Sequence, residues 1–292
     1  MPLPTLVCPD APGLIERLHG RTLAVRVDEP EAIAGAARGV RSSDNELCCV
    51  ICDALRPLAD LDLRDDWDGV PIALGVPEAG RFRDLAPSIP RLRDLDLRVY
   101  LAADRPDNLV ALRLLSSLGV PCCATFAGGA PDWAALTDLM TYALLASVPH
   151  APIDPFEHIA DHYEPPFATE WGATCFADPR CYLHLDEEGR VALARSELLA
   201  GVVIAEDVAD IADEADLVSH PALVERAVRR LRLFEQDHPC ARCPGWRVCL
   251  GTLADSLDTA PGCAAFFTEM LDVIDQRRDQ RSRDREPVKW RP

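Results

Sequence analysis

Four cysteines near the C-terminal end, Cys240, Cys243, Cys249 and Cys263, fall within 24 residues with the spacing C-x2-C-x5-C-x13-C. Two residues between cysteines let both thiolates point at one centre around a tight turn, and Pro244 favours such a turn directly after Cys243. Backbone N–H groups in these turns also donate to sulfur and stabilise its charge. Four thiolates at this spacing suit a tetrahedral zinc ion or a [4Fe–4S] cluster, and spacing alone leaves both open. The sequence begins MPLPTLVCPDAPG, without a basic stretch followed by an apolar run, so the chain reads as cytoplasmic. In a reducing compartment its twelve cysteines point to metal or redox chemistry rather than disulfides.

Other residues with chemical potential carry weaker patterns. Cys48, Cys49 and Cys52 lie in an apolar run, LCCVIC, that reads as a strand. Alternation sends Cys48 and Cys52 to one face and Cys49 to the other, so three ligands converge there only across a bulge. They read as buried structural thiols, as do Cys122 and Cys123. His158 and His162 are four apart, which faces them together on a helix, but no glutamate follows His158 as in HExxH, and they read as surface residues. Gly128 and Gly129 in FAGGA read as a turn, since no Gly-Lys-Ser/Thr end follows. Asp107 and Asp132 each precede a helical stretch as capping residues.

The elements that must position these residues alternate. Apolar β-type runs occupy 22–27, 47–52, 71–76, 97–102 and 121–126, with helical patterns at 29–40, around 82–86, at 108–118 and at 130–146. Such alternation predicts an α/β fold, a parallel sheet whose strands are buried on both faces by helices. Gly119 stands where a C-terminal helix cap is needed. Proline-rich segments at 148–155 and 164–166 mark a domain boundary. Beyond it, 181–185 and 190–193 read as a hairpin closed at Gly189. Residues 221–235 read as an amphipathic helix with Leu223, Val224, Ala227/Val228, Leu231 and Phe234 on one face and arginines opposite, leading into Cys240. The last sixteen residues are charged and read as a frayed tail. A net charge of −18 argues against nucleic-acid and anionic-membrane partners, and no apolar run reaches the roughly 18 residues a membrane span requires.

The C-terminal part resembles the SPASM domain, the auxiliary iron–sulfur extension of many radical S-adenosylmethionine enzymes that modify peptides. The match lies in C-x2-C-x5-C, in Trp246, Arg247 and Gly251 of a PxWRxCxG setting, and upstream in Cys175-x5-Cys181 followed by a hairpin and Gly189. The resemblance covers about 171–263, and the N-terminal βα rhythm is similar to the partial barrel of that superfamily. It implies a partial (βα) barrel-like α/β domain over 1–155, a small cysteine-rich SPASM-like α+β domain over 167–275, and a charged tail over 276–292. It further implies that Cys240, Cys243, Cys249 and Cys263 hold one [4Fe–4S] cluster. Cys175 and Cys181 match two ligands of a second, whose other positions carry Ala194 and Leu253 instead of cysteine. One cluster is therefore expected, and the pair reads as a relic, a partial site completed by a distant residue, or plain buried thiols. The radical-enzyme triplet C-x3-C-x2-C is missing, so radical chemistry is not expected. The expectation is an accessory protein beside a radical S-adenosylmethionine maturase or its precursor peptide, acting in electron transfer or recognition. The alternatives are a zinc-stapled structural module, or an enzyme with its site on the N-terminal strand-end loops; no catalytic constellation is recognised.

Overall fold

The structure, a computed structural model, describes residues 3–126, 131–164, 168–211, 214–251 and 261–285. It is α/β, built on one nine-stranded sheet: β1 (Thr5–Pro9), β2 (Thr22–Val27), β3 (Glu46–Asp53), β4 (Ile72–Gly75), β5 (Leu97–Ala102), β6 (Cys122–Thr125), β7 (Ile153–Asp154), β8 (Tyr182–Leu185) and β9 (Val191–Ala192). The strand order is β7-β6-β5-β4-β3-β2-β1-β8-β9, parallel throughout except the β8–β9 hairpin. Between them run α1 (Pro12–Arg17), α2 (Ile33–Arg41), α3 (Phe82–Leu85), α4 (Ile89–Asp94), α5 (Pro106–Ser117), α6 (Trp133–Leu145) and α7 (Phe156–His162). The hairpin is followed by α8 (Arg195–Leu199), α9 (Glu214–Ser219), α10 (Pro221–Glu235), α11 (Trp246–Cys249) and α12 (Pro261–Arg285).

The two sheet faces divide by strand parity. One carries Leu6, Leu23, Val25, Val50, Leu74, Val99, Leu101, Ala124, Ile153 and Leu183, which pack with the helices into the main core. The other carries Val7, Ala24, Cys49, Ile51 and Ala73, a small second cluster closed by Tyr100, Phe176 and Tyr182. This second face also bears polar side chains, so β5 alternates buried and half-buried positions instead of burying both faces. Strand β1, which sequence patterning passes over because TLVCP is short and ends in proline, lies between β2 and β8. It joins the hairpin to the N-terminal strands, so the sheet and main core run across the proline-rich boundary.

Several local expectations hold. The hairpin closes through Gly189 at φ +94°, whose N–H donates to the Asp186 carbonyl at 3.1 Å. Gly119 ends α5 at φ +85°, and Asp132 caps α6 by accepting from the Ala134 and Ala135 amides at 3.1 Å each. Others need correction. Asp107 lies inside the first turn of α5, whose cap is Arg105. The apolar stripe of α10 is largely open: Val224, Val228 and Leu231 are exposed, and Phe234 is only partly covered, by the edge-on ring of Trp246. α12 continues to Arg285, well into the stretch expected to fray. The Gly128–Gly129 turn and Leu253 lie outside the described residues. No described helix is long and apolar enough to cross a membrane.

Candidate functional site

The C-terminal cysteines come from three short elements. A 3-10 turn, Pro239–Arg242, carries Cys240; Cys243 follows it; α11 ends on Cys249; Cys263 sits in the first turn of α12. The turn is fixed by the Cys243 amide donating to the Cys240 carbonyl at 3.2 Å and by His238, whose Nδ1 accepts from the Cys240 amide at 3.2 Å. The Trp246 amide then closes on the Cys243 carbonyl at 3.0 Å. Gly245 is the point of closure onto α12, since a Cβ there would run into Cβ and Cγ of Phe267. Phe267 lies one helical turn beyond Cys263 on the same face, so this packing brings the CxxCPG turn to the helix face that carries the fourth cysteine.

The electrostatics follow from that approach. Cys263 is pushed up to about 12 by burial first, then by the neighbouring Cys249, Cys243 and Cys240 thiolates. Burial and Cys243 likewise raise Cys240. Mutual repulsion of this kind is relieved by a cation among the sulfurs, which is the chemistry of a thiolate metal site. Among the described residues, no group of three or more His, Cys, Asp or Glu side chains is arranged to hold a metal ion. Cys263 thus feels the other three sulfurs, and the donor set in its chemistry suits a thiophilic metal or cluster.

The upstream pair goes elsewhere. Cys175 ends a 3-10 segment, Trp171–Cys175, that lies over the second sheet face, with its Sγ 3.6 Å from Sγ of Cys123 on β6. The Cys181 Sγ lies 3.8 Å from the Asp178 carboxylate. The structure therefore brings Cys175 to Cys123 and Cys181 to Asp178. Asp178 and Glu170 are both buried, and Arg180 bridges them at 2.8 and 3.4 Å, with Arg230 of α10 on Glu170 at 3.2 Å.

A bulge corrects the reading of β3. Leu23 pairs with Leu47 but Ala24 with Cys49, so Cys48 is the extra residue. Cys48 is exposed rather than buried, and its side chain hydrogen-bonds to Cys49. Cys52 lies in the main core on the opposite face, so the three thiols still do not converge. Cys122 and Cys123 are buried as expected, on opposite faces of β6. His158 and His162 stack on α7 with ring centroids 4.4 Å apart, and burial followed by His162 lowers the pKa of His158.

Motif reading missed a cavity of about 590 Å³ at the C-terminal ends of the parallel strands. In open parallel sheets this is where ligands bind. Asp53, the last residue of β3, accepts from Arg26 of β2 and, at 2.6 Å, from Arg195 at the start of α8. Its carboxylate lies over Gly75, where a Cβ would come 2.7 Å from Asp53 Oδ1, so the neighbouring strand leaves room for it. Two guanidiniums on one carboxylate leave one positive charge in excess. His184 on β8 donates from Nε2 to the Phe176 carbonyl at 2.8 Å and is pushed down to about 4 by burial, with Arg26 and Arg195 adding to the shift. Tyr100 and Phe176 form the floor and cover, and burial raises the Tyr100 phenol far above its usual range. The signal in the sequence was the charged residue ending or punctuating a strand, Arg26 in TLAVRV and Asp53 after LCCVIC, a pattern too common to single out alone. No protein-family model matches the chain, and neither a curated protein nor a solved structure does.

Proposed function

We propose that this protein is an iron–sulfur-binding accessory module in which Cys240, Cys243, Cys249 and Cys263 hold one [4Fe–4S] cluster. The observation that carries the reading is the seat of Gly245 on Phe267, which sets the CxxCPG turn against the helix face bearing Cys263. A cluster with four cysteine ligands has no open iron, and what it supplies is electron transfer or structural support. The chain's own residues set its surroundings. Trp246 is wedged edge-on against Phe234 at 4.7 Å and fills the space beside Gly251, which shields one side of the cysteine segment from water. On α10 the exposed Val224, Val228 and Leu231 form a stripe leading toward Cys240, a surface suited to a partner protein.

In this reading the N-terminal strands correspond to a degenerate partial barrel and residues 167–275 to a SPASM-like domain. The partner is a radical S-adenosylmethionine maturase or its precursor peptide. Cys175 and Cys181 point to different neighbours, which favours one cluster over two. The four-thiolate set alone also fits zinc. Anaerobic purification of the full chain, with iron, sulfide and zinc measured per protein, separates the cases. About four irons and four sulfides support the proposal. About one zinc without sulfide makes the segment a structural staple and overturns it.

A further inference from the structure

The thiols of Cys123 and Cys175 face each other across a gap of 3.6 Å, one fixed in the sheet and one in the segment covering it. Cys123 is fully buried, while Cys175 is half-buried and lines the strand-end cavity. An accessible thiol backed by a buried one is the arrangement of a thiol–disulfide exchange site, where the first attacks and the second resolves. Thr174 supports both: the Cys123 thiol donates to its Oγ1 at 3.8 Å, and that hydroxyl lies 3.7 Å from the Cys175 sulfur and 3.4 Å from the Trp171 carbonyl. The cavity selects for charge. On a chain of net charge −18, the two arginines sharing Asp53 make a local cationic spot, while Ala73 and Phe176 offer apolar wall.

We propose that Cys123 and Cys175 form a thiol–disulfide exchange site taking a low-molecular-weight disulfide that bears carboxylates from the strand-end cavity. The inference is independent of the metal reading. Cys175 gives up its proton and attacks one sulfur of the small disulfide. That S–S bond breaks, and the leaving thiolate takes up a proton, leaving a mixed disulfide on Cys175. Cys123, deprotonated in turn, attacks the Cys175 sulfur and releases the second small thiol. The two protein thiols lose two electrons and two protons, and the small disulfide becomes two thiols. Closing the protein bond brings the sulfurs from 3.6 Å to about 2.05 Å, a movement that falls to the covering segment, since Cys123 is held in the ladder.

The test uses the full chain, metal-loaded and free of air, incubated with glutathione disulfide and, separately, with uncharged 2-hydroxyethyl disulfide. Peptide mapping by mass spectrometry then locates each adduct and link. The expected result is a Cys123–Cys175 link in the wild type and a trapped mixed disulfide on Cys175 in Cys123→Ser. Arg195→Ala should slow the reaction with the charged disulfide by about three- to five-fold, as expected for a half-exposed charge contact, and leave the uncharged one unaffected. Adducts confined to the exposed Cys48 and Cys181, with Cys123 and Cys175 unlinked, would overturn the proposal. Equal rates with both disulfides, insensitive to Arg195→Ala, would overturn its ligand class. If Cys123→Ser does not fold, the wild-type link still decides.

Discussion

Lowering the pH should destabilise this fold through His184, by an amount the structure allows one to work out. The imidazole is 4% exposed and held at about 4 in the folded chain, against an ordinary value of 6.5. The folded state therefore binds fewer protons than the unfolded state wherever the unfolded histidine is charged. Stability from this group is complete above pH 6.5, is lost as pH falls through 6.5 towards 4, and changes no further below that. The full difference is about 3 kcal/mol, of which about 2 kcal/mol is spent between about pH 7.5 and about pH 5. Urea unfolding of wild type and His184→Gln across that range measures it, because the glutamine amide can keep the donor to the Phe176 carbonyl without titrating. Other titrating groups contribute to both curves and cancel in the difference. A wild-type-minus-variant stability that stays flat with pH refutes the reasoning, since it would mean His184 is as well solvated folded as unfolded.

Four further outcomes follow from the same structure. Cys240→Ser should abolish metal loading and raise amide exchange over residues 236–251, because metal binding in such a segment is coupled to folding; full metal content in this variant would remove Cys240 from the ligand set. Gly245→Ala should cost about 1–3 kcal/mol by overpacking against Phe267 and should reduce metal content, as read by urea unfolding and metal analysis, while wild-type values for both would mean that this packing does not gather the cysteines. Cys48→Ser, at an exposed bulge position, should leave metal content unchanged and stability within about 0.5 kcal/mol by the same assays. Metal loading should also slow hydrogen exchange at Gly172–Phe176, and protection there that ignores metal would separate the two sites.

How much of this was legible in the sequence depends on how local the determinant is. Strands β2 to β6, α5, α6 and the hairpin were read from patterning and punctuation, because apolar runs, Asp132, Gly119 and Gly189 each act within a few residues. β1 was not legible: five residues ending in proline become a strand only because β2 and β8 flank them. The face of Cys48 was misread for a related reason, since the bulge is a property of the pairing with Leu23 and Ala24 and not of LCCVIC itself. On α10 the helical periodicity was legible, but periodicity does not say what covers a stripe, and Val224, Val228 and Leu231 stand exposed. For the site, spacing singled out Cys240, Cys243, Cys249 and Cys263 because their pattern is local to one segment. Spacing could not find Cys123 with Cys175, 52 residues apart, or the Arg26–Asp53–Arg195 group, because strand order alone makes them neighbours.

The covering segment is where the two candidate sites meet, and its attachments explain why metal loading should be felt there. Residues 169–176 belong to no strand and contain only 3-10 structure, so their order depends on what they touch. On one side the Thr169 amide donates to the Arg247 carbonyl at 3.1 Å, two residues before Cys249. The Trp171 ring meets both Phe266 and Phe267 of α12 edge-on, and Phe267 in turn seats Gly245. On the other side the Tyr100 hydroxyl donates to the Thr174 carbonyl at 3.2 Å, and Cys175 meets Cys123. A ligand that draws the four C-terminal thiols together fixes α11 and the first turns of α12, and those are the surfaces against which Trp171 and Thr169 are held. Contact alone does not establish coupling, which requires that binding at one end change the order of the other. The exchange rate of the Gly172–Phe176 amides is that quantity, because this segment has no ladder or long helix to protect it on its own account.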